Sequence, residues 1–150
     1  MTYLFDASSL LLLIKQQGPY AAETLRNSAT IPLAYYEIGN TLRTSATIHK
    51  HITPEEAKRT LKNIHQGLAL MEKIIQNTHQ ESRLILHNSL EHNITYYDSA
   101  YLTAAQTNNH TLVTEDRQLT KAAQKANTPT TQTDDLTKTK SVNSLKKPTD

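Results

Sequence analysis

The sequence has no cysteine and no tryptophan, and only one phenylalanine and three glycines among its 150 residues. The missing thiols exclude a disulfide framework, a thiolate zinc site and a cysteine nucleophile together. They also suit a reducing compartment. With so few bulky aromatics, Leu, Ile, Ala and the seven Tyr are left to build the core of what the length makes one domain. No stretch reaches the roughly 18 apolar residues of a membrane span. The run "SLLLLI" is too short for one, and it follows an acid rather than a basic segment, unlike a signal peptide. The expectation is a soluble, cytoplasmic protein without a membrane partner. Internal repeats, Gly-rich loops and a second domain are also missing.

An excess of basic charge is lacking too, although the pI of 8.8 suggests one. Residues 136 to 150 carry four Lys against one acid, a net of +3, and the whole chain carries +2, which leaves residues 1 to 135 at about −1. The body of the protein is therefore not a basic domain, and the pI alone is poor evidence for a nucleic-acid partner.

What is present alternates short β-prone runs with helical patterns. "TYLF" reads as a strand leading into Asp6, and "ASSLLLLIKQQG" as a helix closed by Gly18 and Pro19. A short helix follows in "YAAETLRN". "ATIPLA" is a brief strand and "YYEIGNTLRTSATI" a helix. Thr53-Pro54-Glu55-Glu56 is a capping box with Pro at the first helical position. The helix it starts places Ala57, Leu61, Ile64, Leu68 and Met71 on one face. "ESRLILHNSLEHN" is a helix with Asn93 as C-cap, "ITYY" a strand, "DSAYLTAAQTNN" a helix, "HTLVT" a strand, "DRQLTKAAQKAN" a helix and "TPTTQT" an edge strand. After Leu136 there is little to bury, so residues 137–150 read as a Lys/Thr-rich disordered tail behind a domain spanning 1–136. This alternation predicts an α/β sandwich with a mainly parallel sheet.

Against that pattern, a few acids sit in or beside apolar runs: Asp6 in "TYLFDASSLLLLI", Glu37 in "IPLAYYEIGNTL", Asp98 in "ITYYDSAYLTAA", and Glu115 with Asp116 in "HTLVTEDRQL". Each Asp has an ordinary reading as a helix N-cap. Asp6, Asp98 and Asp116 also stand at or just past the ends of expected strands, where ligands of parallel sheets bind. Glu37 lies inside its helix between Tyr36 and Ile38, where a buried carboxylate is costly unless paired or metal-bound. A cluster of four such groups is stable while ionised only around a cation. Hard oxygen ligands with open positions suit Mg²⁺ or Mn²⁺, and such an ion serves phosphodiester hydrolysis without a Ser or Cys nucleophile.

In this order, "LFDASS", "YYEIGN", "YYDSAYLTAA" and "LVTEDRQL" resemble the PIN domain, particularly the toxins of VapBC-type toxin–antitoxin pairs, over about residues 2 to 136. The resemblance implies a PIN-like α/β/α sandwich. It implies a site of Asp6, Glu37, Asp98 and Asp116, holding metal and catalysing cleavage, with Thr114 of the Thr-x-Asp element and Ser8 in support. The activity implied is that of a Mg²⁺- or Mn²⁺-dependent endoribonuclease, acting on RNA as a type II toxin restrained by a small antitoxin. Two other readings stand beside it: a PIN nuclease of RNA processing with no antitoxin, and a catalytically silent PIN-like module whose acids serve as caps. Glu115 is surplus to the set and reads as a helix-start residue.

The seven His at 49, 51, 65, 79, 87, 92 and 110 show no metal-site spacing and read as surface or capping residues. Tyr35, Tyr36, Tyr96, Tyr97 and Tyr101 suit either base stacking or packing, and Arg43 and Arg117 either phosphate contact or solvated helix faces. The apolar surfaces from Leu10 to Ile14 and from Ala57 to Met71 suggest a homodimer face and a groove for a partner helix.

Overall fold

The structure, a computed structural model, describes residues 2–144. Five short strands form one sheet in the order β3-β2-β1-β4-β5: β1 Tyr3–Phe5, β2 Ser28–Thr30, β3 Glu72–Lys73, β4 Thr111–Val113 and β5 Thr130–Thr131. Every pairing is parallel. Eight helices connect and cover them: α1 Ala7–Gln17, α2 Ala21–Arg26, α3 Leu33–Thr47, α4 Pro54–Leu70, α5 His79–His92, α6 Tyr96–Thr107, α7 Arg117–Lys125 and α8 Thr133–Ser144.

Side-chain alternation along the central strands makes this a three-layer α/β/α sandwich. Leu4 and Leu112, in register, point into a core with Ile85, Leu102, Leu119 and Ala123. Phe5 and Val113, the next pair, point the other way, to Leu10, Leu13, Ile38, Ile64 and Leu68. Leu, Ile and Ala build the core as expected, but of the seven Tyr only Tyr101 is fully buried, with Tyr3 and Tyr35 packed partly buried against the core. Among the described residues no helix is long and apolar enough to cross a membrane.

Local chemistry sets the helix ends. Gly18 stops α1 at φ +52, and its N–H bonds the Ile14 carbonyl. Both α4 and α5 begin with capping boxes, Thr53 with Glu56 and Thr78 with Glu81. Gly67 lets α4 lie close to α1 and α2: a Cβ there would stand 3.1 Å from Leu25 Cδ1 and 3.2 Å from Ile14 Cδ1.

Four expectations change. "ITYY" is not a strand: Asn93 ends α5 in the left-handed conformation and Thr95 already caps α6, so Tyr96 and Tyr97 fall in a helical turn. Strand β3 was not anticipated, because two polar residues at a sheet edge carry no periodic signal. The faces expected to mark a dimer interface largely cover one another, with Leu10, Leu13, Ile64, Leu68 and Met71 in one buried cluster. Large apolar side chains are exposed elsewhere, at Tyr36, Ile75, Leu90 and Tyr97.

The fourth change concerns the expected tail from 137. Its boundary falls inside α8, and residues 145–150 lie outside the described residues. The helix starts where Glu115 Oε1 accepts the Thr133 N–H at 2.8 Å, and Asp134 and Asp135 complement its N-terminus. Leu136, 8% exposed, joins the core beside α1. Leu136→Ala should therefore cost about 2–3 kcal/mol and lower the Tm by several degrees. Thermal denaturation checks this, and an unchanged Tm would show that α8 does not dock.

Candidate functional site

From β1 the chain moves outward to β2 and β3, then returns to place β4 on the other side of β1. A doubly wound sheet opens a crevice at the carboxyl ends of two strands that part in this way. Asp6 follows β1, and Thr114 and Asp116 follow β4, so both sides of the crevice carry acids. The Asp6 N–H bonds the Val113 carbonyl at 3.2 Å and locks the two strand ends together.

Asp6 is the N-cap of α1. Its Oδ1 accepts the Ser9 N–H at 2.9 Å, and the residue is 7% exposed. Burial pushes its carboxyl above the usual range, against the lowering effect of the Thr114 hydroxyl and of Ser9. Thr114 is buried, and its Oγ1 also accepts the Asp116 N–H at 3.1 Å, so one hydroxyl serves two acids. Asp116 caps α7 through the Leu119 N–H, at 2.8 Å, and sits exposed at the rim.

Asp98 comes from the first turn of α6, where the Thr95 hydroxyl receives its N–H at 3.0 Å. It is half-buried, and burial first, then the charges of Asp116 and Asp6, raise its pKa. Glu37 projects from α3 beside the core residue Ile38. Burial raises its pKa most, Asp98 and Asp6 raise it further, and the Tyr101 hydroxyl opposes them. That hydroxyl lies near Glu37 without completing a hydrogen bond: Glu37 Oε1 and the Tyr101 OH are both buried and both lack a partner. The phenol itself is held far above its ordinary value by burial and then by Glu37.

Asp6, Glu37, Asp98 and Asp116 come from four elements; the charges of Asp98 and Asp6 reach Glu37, and those of Asp116 and Asp6 reach Asp98. Ser8 is exposed, and the N–H that Asp6 holds belongs to Ser9. Glu115 starts a helix as expected, but it caps α8 rather than its own. Arg43 and Arg117 are exposed. His65 packs edge-on against Tyr35, and His49 stacks on His51. The sequence reading missed Ser9 and left Tyr101 undecided. The available signal was spacing, since Tyr101 is three residues after Asp98 and shares its helical face.

Among the described residues, no three His, Asp or Glu side chains stand close enough to enclose one ion. The donor chemistry nonetheless fits a hard divalent cation. Four carboxylates repel, three of them hold their protons more tightly than usual, and Glu37 Oε1 is buried without a donor. A cation among them would relieve each of these strains.

No family model matches the chain. Exonuclease VapC9 of Pyrobaculum aerophilum is 29% identical to it over 117 residues, which span 78% of this chain and 82% of that protein. The crystal structure of PAE2754 from Pyrobaculum aerophilum matches with a TM-score of 0.75 at 22% identity, over 91% of this chain and 95% of that one. The fold is the PIN-like sandwich, and the chain resembles the VapC type of PIN-domain nuclease.

A carboxyl that holds its proton more tightly when folded destabilises the fold wherever it is ionised, and the penalty lifts as pH falls through the raised value. Asp6, Glu37 and Asp98 are of this kind. The exposed capping acids Glu56 and Glu81 are the reverse, held low by Thr53 and Thr78, and their contribution is lost only in stronger acid. The Tm of chelator-treated protein should rise as pH drops from neutral through the window above the ordinary carboxyl values of 3.8 and 4.5, then fall below it. A steady decline from pH 7 would contradict the clustering.

Proposed function

We propose that this chain is a divalent-metal-dependent endoribonuclease that hydrolyses RNA phosphodiester bonds as the toxin of a type II toxin–antitoxin pair. The observation that carries the proposal is the set of half-buried and buried acids beside the crevice between β1 and β4, where Asp98 and Asp6 act on Glu37, Asp116 and Asp6 act on Asp98, and Glu37 Oε1 is buried without a donor. These four carboxylates would hold Mg²⁺ or Mn²⁺. When bound, such an ion stabilises charge developing on a phosphoryl oxygen.

The side chains divide the remaining work. Asp6 is fixed by its cap, through the Ser9 N–H on Oδ1, and by the Thr114 hydroxyl. Asp98 is half-buried and feels the charges of both Asp116 and Asp6. Glu37, with its raised pKa, is suited to accept a proton from the attacking water. Asp116, at the exposed rim, orients the water or the ligand. The toxin role and the antitoxin partner rest on the resemblance to VapC proteins. The exposed Tyr36, Ile75, Leu90 and Tyr97 offer apolar surface to an antitoxin or to a second copy in a homodimer.

The relative's name supplies one rival, attack from an end of the chain rather than within it. A circular single-stranded RNA separates the two, because only an endonuclease opens it. With Mg²⁺ or Mn²⁺ the wild-type protein should linearise the circle, and Asp98→Asn should lose roughly a hundredfold or more of that activity. Full cleavage by purified Asp98→Asn would sink the site assignment. Degradation of linear but not circular RNA would establish the exonuclease reading.

In cells, the wild-type chain expressed alone should slow growth and Asp6→Ala should not. Harmless expression of folded, nuclease-active protein would remove the toxin role.

A further inference from the structure

Tyr101 is 1% exposed, yet its hydroxyl has no hydrogen-bond partner, and neither has the buried Oε1 of Glu37 beside it. A buried donor or acceptor left unmade is costly, and a phenylalanine would fill the same space without that cost. Here one donor and one acceptor are unmade near each other, one on the largely buried α6 and one on α3. Tyr101 also lies one turn beyond Asp98 on α6 and so faces the crevice rather than only the sheet.

We propose that Tyr101 is a positioning residue: its O–H donates to Glu37 Oε1 and fixes that carboxylate, leaving the other oxygen for the cation. The inference rests on the carboxylate-site reading above and adds a residue to it. The hydrogen bond closes when the ligand draws Glu37 into place, so the hydroxyl contributes to binding rather than to folding. The ring contributes to folding, since it packs among Ile85, Leu102 and Ala105.

The test is Mn²⁺ binding by calorimetry, together with the rise in Tm that Mn²⁺ produces. Both are measured on wild type, Tyr101→Phe, Glu37→Gln, the double variant and Asp98→Asn. Without metal, Tyr101→Phe should melt within a few degrees of wild type. Its Mn²⁺ affinity should fall roughly tenfold or more, and the metal-induced rise in Tm should shrink with it. In the Glu37→Gln background the same change should cost nothing further, because the hydroxyl acts through that carboxylate. Equal losses in both backgrounds, unfolding of Tyr101→Phe, or unchanged affinity in Tyr101→Phe beside lost affinity in Asp98→Asn would each overturn the role of Tyr101. Wild-type affinity in Asp98→Asn would instead overturn the carboxylate site itself, and the Tyr101 proposal with it.

Discussion

Like charges brought together out of water are the constraint around which this molecule is arranged. Burial raises the pKa values of Asp6, Glu37 and Asp98, and nearby charge adds to it: Asp98 and Asp6 act on Glu37, Asp116 and Asp6 on Asp98, and Glu115 on Asp6. Three of the four stand at helix N-termini. Asp6 caps α1, Asp116 caps α7, and Asp98 occupies the first turn of α6. The positive ends of three helices therefore converge on the crevice and offset part of the repulsion. Glu37 has no such support, being inside α3, and it is the acid with a partnerless buried oxygen. The ordinary reading of an Asp as a cap and the reading of it as a ligand are compatible, since a cap uses one carboxylate oxygen and leaves the other.

The sheet makes this arrangement rigid with very little chain. Its strands are two or three residues long, and β1 and β4 are buried on both faces by alternating pairs, Leu4 with Leu112 and Phe5 with Val113. Asp6 is one residue beyond the end of β1, and its N–H is bonded to the last residue of β4. Thr114 then ties the Asp116 backbone and the Asp6 carboxyl to one hydroxyl. A displacement of either strand would move two acids at once.

Legibility in the sequence followed the range of the interactions. Asp6 and Asp116 were readable because strand, cap and helix are contiguous there. Glu37 stood out as an acid amid apolar neighbours. Asp98 stood out as an acid beside an apolar run, but its element was misread: the β-propensity of "ITYY" yields to the caps at Asn93 and Thr95, which leave no room for a strand. The helix α8 was missed because its stabilising partners, Glu115 and the α1 side of the core, are distant in sequence. The approach of the Tyr101 hydroxyl to Glu37 brings α6 to α3, two elements distant in sequence, so its one local trace is the spacing from Asp98.

The central claim is that these carboxylates form one protonation-coupled site for a divalent cation. Calorimetric titration of Mn²⁺ into the wild-type protein, repeated in buffers of different ionisation enthalpy, counts the protons displaced on binding. The account predicts saturable binding with proton release that grows as pH is lowered toward the raised carboxyl values. Binding with no proton release at any pH, or no binding at all, would contradict it.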